Sequence, residues 1–311
     1  MTTDLQTQAF RRGLTVIEIV AAVAILSVLV AILAPAVLST REAARGISCL
    51  NNLRQIGLAS QNYVSTHQAF PSGGLFHLAM LPYVDQLAAY EELVDDFGGP
   101  SAVYKDADLV RVFACPSDVG TWERGVKVNY FLCGGVAGGW DRASGVPNVA
   151  VSWDGFRYDP RGYTDGLSNT VLLNEAVSQP LRYEEAAERP ERYGGWNSGH
   201  VIDPIEFPKL FVLEVQRAPV RREAFSPMLV WDSISDITDF IGHALPPNSR
   251  SGGNTSEGPA DLPWRNFGSY AASSEHPASV NVLMADGAAK NVSESIDLHA
   301  WRRIGTSVGN D

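Results

Sequence analysis

The residues with the most chemistry to offer are His276, Asp286, Asp165 and Glu175, an imidazole and three carboxylates in or beside segments built for turns and strands. Carboxylates and carbonyls on turns suit calcium, and a histidine shifts the preference toward zinc or another transition ion. Their spacing follows neither an EF-hand loop nor a zinc motif. A plainer explanation is available: Asp165-Gly166 and Asp286-Gly287 are Asp-Gly turns, and His276 hydrogen-bonds locally. On that reading no cofactor is held, and His276 and Asp286 clasp the two ends of one hairpin; calcium or another divalent ion is the alternative. No nucleophile-and-base arrangement accompanies these groups. Gly-x-Ser-x-Gly, His-Glu-x-x-His, the P-loop and the dinucleotide fingerprint are all missing from the sequence. The histidines at 67, 77, 200, 243, 276 and 299 form no close set. An enzyme is therefore the least favoured class. Cysteines 49, 115 and 133 are an odd set that allows three pairings. Trp140 and Trp153, near glycine-rich turns, are candidates for stacking on a glycan, against the plainer fate of a core indole.

The element that dominates everything else is an unbroken uncharged run from Ile19 to Leu38. As a helix it is roughly 30 Å long, the thickness of a bilayer's hydrocarbon core. Between Leu14 and Leu38 only Thr15, Glu18 and Ser27 interrupt the apolar surface, so lipid or other apolar helices must surround it. Three readings compete. A cleaved secretory signal has a shorter apolar core, although Ala34-Pro35-Ala36 supplies a small-x-small site. A plain anchor fits the length but gives no reason for Glu18, a carboxylate one turn inside an apolar segment. The third reading accounts for Glu18.

The stretch Arg11-Arg12-Gly13-Leu14-Thr15-Val16-Ile17-Glu18 resembles the prepilin-type cleavage and methylation motif. The resemblance implies that a prepilin peptidase cuts between Gly13 and Leu14, that the new amino terminus at Leu14 is methylated, and that Glu18 becomes the fifth residue of the mature chain. Independently of the name, a carboxylate inside a helical bundle needs a cationic partner, and the freed amino group of a neighbouring subunit can be that partner. Glu18 would then set register during assembly. Pro35 looks like the helix-kinking proline of many type IV pilins. Arg11 and Arg12 stay cytoplasmic under the positive-inside rule, which leaves the carboxyl-terminal bulk outside. The whole chain carries a formal charge of -11, and residues 1–13 contribute +1, so the remainder stands at -12. Such an acidic chain is a poor partner for nucleic acid, having no basic surplus to release counterions.

Past the membrane run the helical pattern becomes amphipathic, with Ala43, Ile47, Leu50, Leu53, Ile56 or Gly57, Ser60 and Tyr63 or Val64 at three- and four-residue steps. Pro71 with Gly73-Gly74 ends it. The remaining residues suffice for one large head. Short apolar runs at Val126–Leu132, Thr170–Leu173, Leu210–Val215 and Val280–Met284 predict antiparallel strands, the last turning at Asp286-Gly287 into Ala288–Val292. A helix is expected over Leu81–Val94 and an exposed loop over Pro246–Pro263.

His276, nine residues, then Asp286-Gly287 is similar to the signature of a large family of bacterial prepilin-like proteins built on domain of unknown function 1559, also labelled solute-binding. The same family is resembled by Cys49-Leu50-Asn51-Asn52-Leu53-Arg54-Gln55-Ile56-Gly57-Leu58, Phe70-Pro71, Leu81-Pro82-Tyr83, Cys115-Pro116-Ser117-Asp118, Thr164–Thr170, Glu175 and Ser293–Asp297, in order along the chain. Cys49 on the packing side of the helix and Cys115 in a family-like segment lead to an expected Cys49–Cys115 bridge, with Cys115–Cys133 as the second choice.

The resulting expectation is a type IV pilin-like α+β chain. Residues 1–13 are a leader. Residues 14–67 are a helix with a membrane half and an amphipathic half. Residues 68–311 form a large, mostly antiparallel β head outside the cytoplasmic membrane. The function expected is that of a pilin-like or pseudopilin-like structural subunit, with prepilin peptidase, the membrane and copies of itself or other pilin-like subunits as partners. The alternative is a membrane-tethered solute or glycan binder that does not polymerise.

Overall fold

The structure, a computed structural model, describes residues 16–71, 76–95, 107–118, 128–135, 159–177, 193–195, 240–243, 245–249, 251–255, 266–269 and 271–306. The chain divides into two compact units after Ala44.

Helix α1 (Val16–His67) begins in the first unit. The large apolar side chains between Val16 and Leu38 are 47% to 79% exposed, so this stretch presents apolar surface on all sides. Its hydroxyls are satisfied by its own backbone: Ser27 donates to the Ala24 carbonyl at 2.8 Å, while Ser39 and Thr40 both donate to the Ala36 carbonyl, at 3.0 and 2.8 Å. Hydroxyls bonded in this way carry little desolvation penalty in an apolar solvent. Pro35 lies inside α1 and does not end it. Among the described residues, α1 is the one helix long and apolar enough to cross a membrane.

In the second unit α1 is amphipathic. Cys49, Leu53, Ile56, Gly57 and Ser60 are buried, at the three- and four-residue steps of a helix seam. From Leu53 onward this is the seam the sequence predicts. One turn earlier the inward position belongs to Cys49, and Ile47 is 61% exposed instead.

The main sheet has strands β1 (Tyr130–Cys133), β2 (Val171–Glu175), β4 (Phe240–Ile241), β7 (Ser279–Met284) and β8 (Ala289–Ser293) in the order β4-β1-β2-β7-β8. Four of these, β1, β2, β7 and β8, pair antiparallel, and β4 joins β1 in parallel. The fold is thus α+β, with a long amino-terminal helix and a carboxyl-terminal antiparallel sheet, as the sequence predicts. A second sheet places β5 (Ser251–Thr255) between β3 (Tyr193–Gly195) and β6 (Asn266–Ser269). Strand β5 falls within the stretch expected to be loop. Its sequence, Ser-Gly-Gly-Asn-Thr, has no apolar alternation to announce a strand, and it pairs with β3 in parallel and with β6 antiparallel. The strand expected at Leu210–Val215 lies outside the described residues. The helix expected over Leu81–Val94 is in fact two pieces, a 3-10 turn at Leu81–Tyr83 and α3 (Leu87–Asp95), and a short helix α2 (Phe76–Met80) precedes them. Pro82 near the start of the turn lacks a donor, and Asp85 sits in the left-handed region at φ 60°, so the helix cannot run through.

Strands β2 and β7 are buried almost throughout, which puts layers on both faces of the sheet. Alternation assigns the faces. Leu283 and Glu175 face α1, while Asn174 faces the opposite way, toward His243 and Trp301 of α4 (Leu298–Ile304). Trp301 is fully buried, stacked on the His243 ring at 3.7 Å between centroids, with its indole N–H on the Leu245 carbonyl at 2.8 Å. His243 Nδ1 donates to the Trp301 carbonyl at 2.8 Å, and Nε2, the accepting nitrogen of the neutral ring, stands 2.9 Å from the Asn174 side-chain amide. His77 is likewise buried, its Nε2 on the Tyr130 carbonyl at 2.8 Å.

Burial holds both imidazoles neutral and pushes each pKa from 6.5 down to about 4, against a smaller upward pull from the carbonyl bond. The unfolded chain takes up protons between these two values while the folded chain does not. Stability from these groups is therefore full above the unfolded pKa and is lost as pH falls toward about 4. Thermal melts of the intact chain in detergent are expected to be flat near neutrality and to decline on acidification, each imidazole costing on the order of 3 kcal/mol at the acid end. In His77→Gln or His243→Gln the neutral-pH melting temperature drops and the acid limb becomes shallower.

Candidate functional site

Two places on the inner face of α1 gather the residues singled out from sequence. At the first, Cys49 and Cys115 are joined in a disulfide that closes a separation of 66 residues. In the chain-entropy account a loop of that size is worth about 4 kcal/mol to the folded state. Beside it lies His276, with Nε2 3.5 Å from Cys115 Sγ and 3.2 Å from Glu175 Oε1. Cys49, Cys115, Glu175 and His276 are all buried, and one ligand-capable atom from each falls within 4.8 Å of the others.

Each member arrives on a different element and is held there by neighbours. Asn52 of α1 donates to the Ala114 carbonyl at 2.9 Å, and Asn129 Oδ1 accepts from the Cys115 N–H at 2.8 Å. The Asn129 amide also reaches Asp118 Oδ2 and the Ala176 carbonyl, at 2.6 and 2.9 Å, so one buried side chain ties the Cys115–Asp118 segment to the end of β2. Glu175 Oε2 accepts from both the backbone N–H and the side-chain amide of Asn281, each at 3.0 Å. Glu175 Oε1 has no hydrogen-bond donor among the described residues. The Tyr130 hydroxyl donates to the Cys49 carbonyl at 3.1 Å. Burial, reinforced by the negative Glu175, pushes the Tyr130 pKa well up, so it remains a neutral donor.

At the second place, about two turns along α1, Gly57 meets the turn after β7. A Cβ on Gly57 would collide with the Gly287 carbonyl and stand 2.9 Å from Leu283 Cδ1. Gly287 has φ 88°, a conformation that favours glycine, and a Cβ there would lie 3.1 Å from Gln61 Cγ and 3.2 Å from the Gly57 carbonyl. Gln61 Nε2 donates to the Ala285 carbonyl at 2.8 Å beside this crossing. Asp286 Oδ1 accepts from the Ala288 N–H at 2.9 Å, a local turn bond on an exposed residue.

These positions correct the grouping read from sequence. His276 and Asp286 do not clasp one another. They lie beyond opposite ends of β7, His276 in the buried cluster and Asp286 in the turn, because the intervening strand is extended. Glu175 does join His276, as two of the four residues weighed for a metal, but Asp165 and Asp286 are elsewhere. Asp165 sits in a turn where Asn169 donates to its carbonyl at 2.9 Å. The two cysteines complete the group instead, and Cys133 is a free, buried thiol. Glu18 is in the first turn of α1. Gly13 and Leu14, Trp140 and Trp153 lie outside the described residues. Sequence reasoning overlooks Asn129 and Asn281 as the residues that hold the cluster, and, although it places Gly57 on the packing seam, it overlooks the backbone approach of Gly287. For Gly57 a signal is present: glycine in a helix interior costs about 1 kcal/mol against alanine, so its presence asks for a packing reason.

A family model described as a protein of unknown function (DUF1559), named SBP_bac_10, matches residues 38–299. The match thus begins at the last residue of the apolar run and takes in both places just described. No curated protein and no solved structure matches the chain.

The Gly57 crossing sets a clear expectation. Gly57→Ala gains helix propensity but forces the helix off the Gly287 backbone, and overpacking of this kind costs about 1 to 3 kcal/mol. Gly162→Ala is the control, since a Cβ there meets nothing within 4 Å. Thermal melts should show Gly57→Ala several degrees below the parent and Gly162→Ala level with it.

Proposed function

Because this chain belongs to the DUF1559 family, and because its first helix offers apolar surface on every side across a bilayer's width, we propose that it is a pilin-like or pseudopilin-like structural subunit. The observation that carries the reading is the exposed run Val16–Leu38 of α1. A continuous apolar surface of that extent does not persist in water. It calls for lipid before assembly and for other apolar helices after it. Lipid alone would satisfy a simple anchor. The sequence Arg11–Glu18 supports the further step, in which prepilin peptidase removes residues 1–13, Leu14 becomes the methylated amino terminus, and Glu18 pairs across subunits with that terminus. Arg11 and Arg12 on the cytoplasmic side favour a head outside the membrane. A Cys49–Cys115 disulfide in the head agrees with an oxidising compartment. The partners on this reading are prepilin peptidase, the cytoplasmic membrane and copies of this or similar subunits.

Mass spectrometry of the amino-terminal peptide from native protein is expected to show N-methylated Leu14. A chain that still begins at Met1, or one that begins at Val37 after signal-type cleavage, ends the proposal. In a second arm, Glu18→Ala should abolish cross-linked oligomers in the membrane while the head melts at the parent temperature. Oligomers that survive the change would point instead to a tethered monomer that binds a solute or glycan.

A further inference from the structure

The two buried groups beside the disulfide, Glu175 and His276, are more than a disulfide needs. A cystine is apolar and would be well served by aliphatic neighbours. Here it is flanked by an imidazole and a carboxylate with relative exposures of 7% and 1%. Burying an ionisable carboxylate is costly unless each oxygen is compensated. Glu175 Oε2 has two donors from Asn281, but Oε1, aimed into the cluster, has none among the described residues. It faces His276 Nε2 at 3.2 Å without a hydrogen bond between them, an arrangement that a cation held by both would complete.

The donor set says which kind. Two sulfurs, an imidazole nitrogen and one carboxylate oxygen make the mixed soft and borderline set of a four-coordinate zinc site, whereas calcium takes six to eight oxygens. Tetrahedral zinc with bonds of about 2.0–2.3 Å brings its ligand atoms about 3.3–3.8 Å from one another. His276 Nε2 already stands 3.2 Å from Glu175 Oε1 and 3.5 Å from Cys115 Sγ, and the whole set spans no more than 4.8 Å. The second shell a metal site requires is in place as well. Asn281 fixes the carboxylate and Asn129 fixes the Cys115 backbone.

We propose that Cys49, Cys115, Glu175 and His276 form a zinc-class metal site whenever the two cysteines are reduced, and that the disulfide is the closed, metal-free state of the same site. A dithiol reductant breaks the sulfur–sulfur bond, delivering two electrons and two protons to give two thiols and its own disulfide. The divalent ion then displaces both thiol protons to solvent and takes two thiolates, the Glu175 carboxylate as it stands, and His276 Nε2 in the tautomer that carries its proton on Nδ1. The sulfurs serve one state at a time, so metal and disulfide exclude each other.

The test uses the full chain in detergent, treated with a phosphine reductant under anaerobic conditions and titrated with Co²⁺ as a spectroscopic stand-in for zinc. The reduced chain should bind one equivalent, with thiolate-to-cobalt charge transfer in the near ultraviolet and the d–d bands of a tetrahedral ion in the red, both erased by added Zn²⁺. The oxidised chain should show neither. His276→Ala should weaken binding roughly 100-fold or more, while Cys133→Ser and Asp286→Asn should leave it unchanged. A reduced, folded chain without the charge-transfer band, or one whose cobalt affinity ignores His276→Ala, overturns the proposal. Should the reduced apo chain fail to fold, the readout becomes refolding of reduced chain by near-ultraviolet circular dichroism. Recovery with Zn²⁺ but not Mg²⁺ supports the site, and recovery with neither removes it.

Discussion

Gly57 and Gly287 let two stretches of backbone touch, and the head is organised around that contact. A helix and a strand turn normally stay apart by the width of their side chains. Here neither residue has one, and the Gly287 carbonyl comes so close to Gly57 that even a methyl group has no room. The close approach seats the buried seam of α1 on the sheet, where Leu53 and Ile56 share one core with Val171, Leu173, Val280 and Leu283. About two turns away, the Cys49–Cys115 bond secures the other end of the same seam. A helix fixed at both ends of its contact face has little freedom to rotate, so the positions between them are determined.

That constraint explains why the two halves of α1 obey different rules. From Ile19 to Leu38 the pattern is one of apolarity, which many large aliphatic side chains meet. From Cys49 to Ser60 every inward position has its own neighbour: a sulfur, a leucine, an isoleucine, a glycine, then Ser60, whose hydroxyl is turned back on the Ile56 carbonyl at 2.8 Å. One helix thus carries a generic surface and a specific one. The head manages its buried polar groups in the same specific manner. His77, His243 and Asn129 each find backbone carbonyls or side-chain amides, which leaves the Glu175 oxygen conspicuous.

What the sequence discloses follows the strength of its local signals. The apolar run, the amphipathic continuation from Leu53 onward and the β7–β8 hairpin are written in periodicity and in an Asp-Gly turn, and these appear as read. The α+β layout follows from them. Strand β5 is illegible because Ser-Gly-Gly-Asn-Thr has no apolar alternation, and the break in the 81–94 helix is hidden because Asp85 takes a left-handed conformation that no residue type announces. The site is legible in its members and not in its grouping. His276 and Glu175 stand out for their chemistry, the cysteines for their pairing. That these are one cluster depends on register: Glu175 ends β2 beside Asn281 of β7, and alternation turns both toward α1. Sequence spacing carries no trace of such a meeting.

Register also bears on why His276 and Asp286-Gly287 are nine residues apart. The interval holds a short lead-in and β7, and an extended strand of six residues covers about 20 Å. Between Gly46, whose Cβ position lies 3.5 Å from the His276 ring, and Gly57, against Gly287, α1 advances eleven residues, about 16 Å. The strand alone is somewhat longer than that advance, and β7 laid along this helix places an imidazole toward one end of the seam and a glycine turn at the other. One residue more or fewer would turn Asn281 and Leu283 to the far face. Glu175 would then lose both donors, and α1 would lose its seat. The chemistry at the histidine end of β7 is thus coupled through the strand's register to the packing at its glycine end.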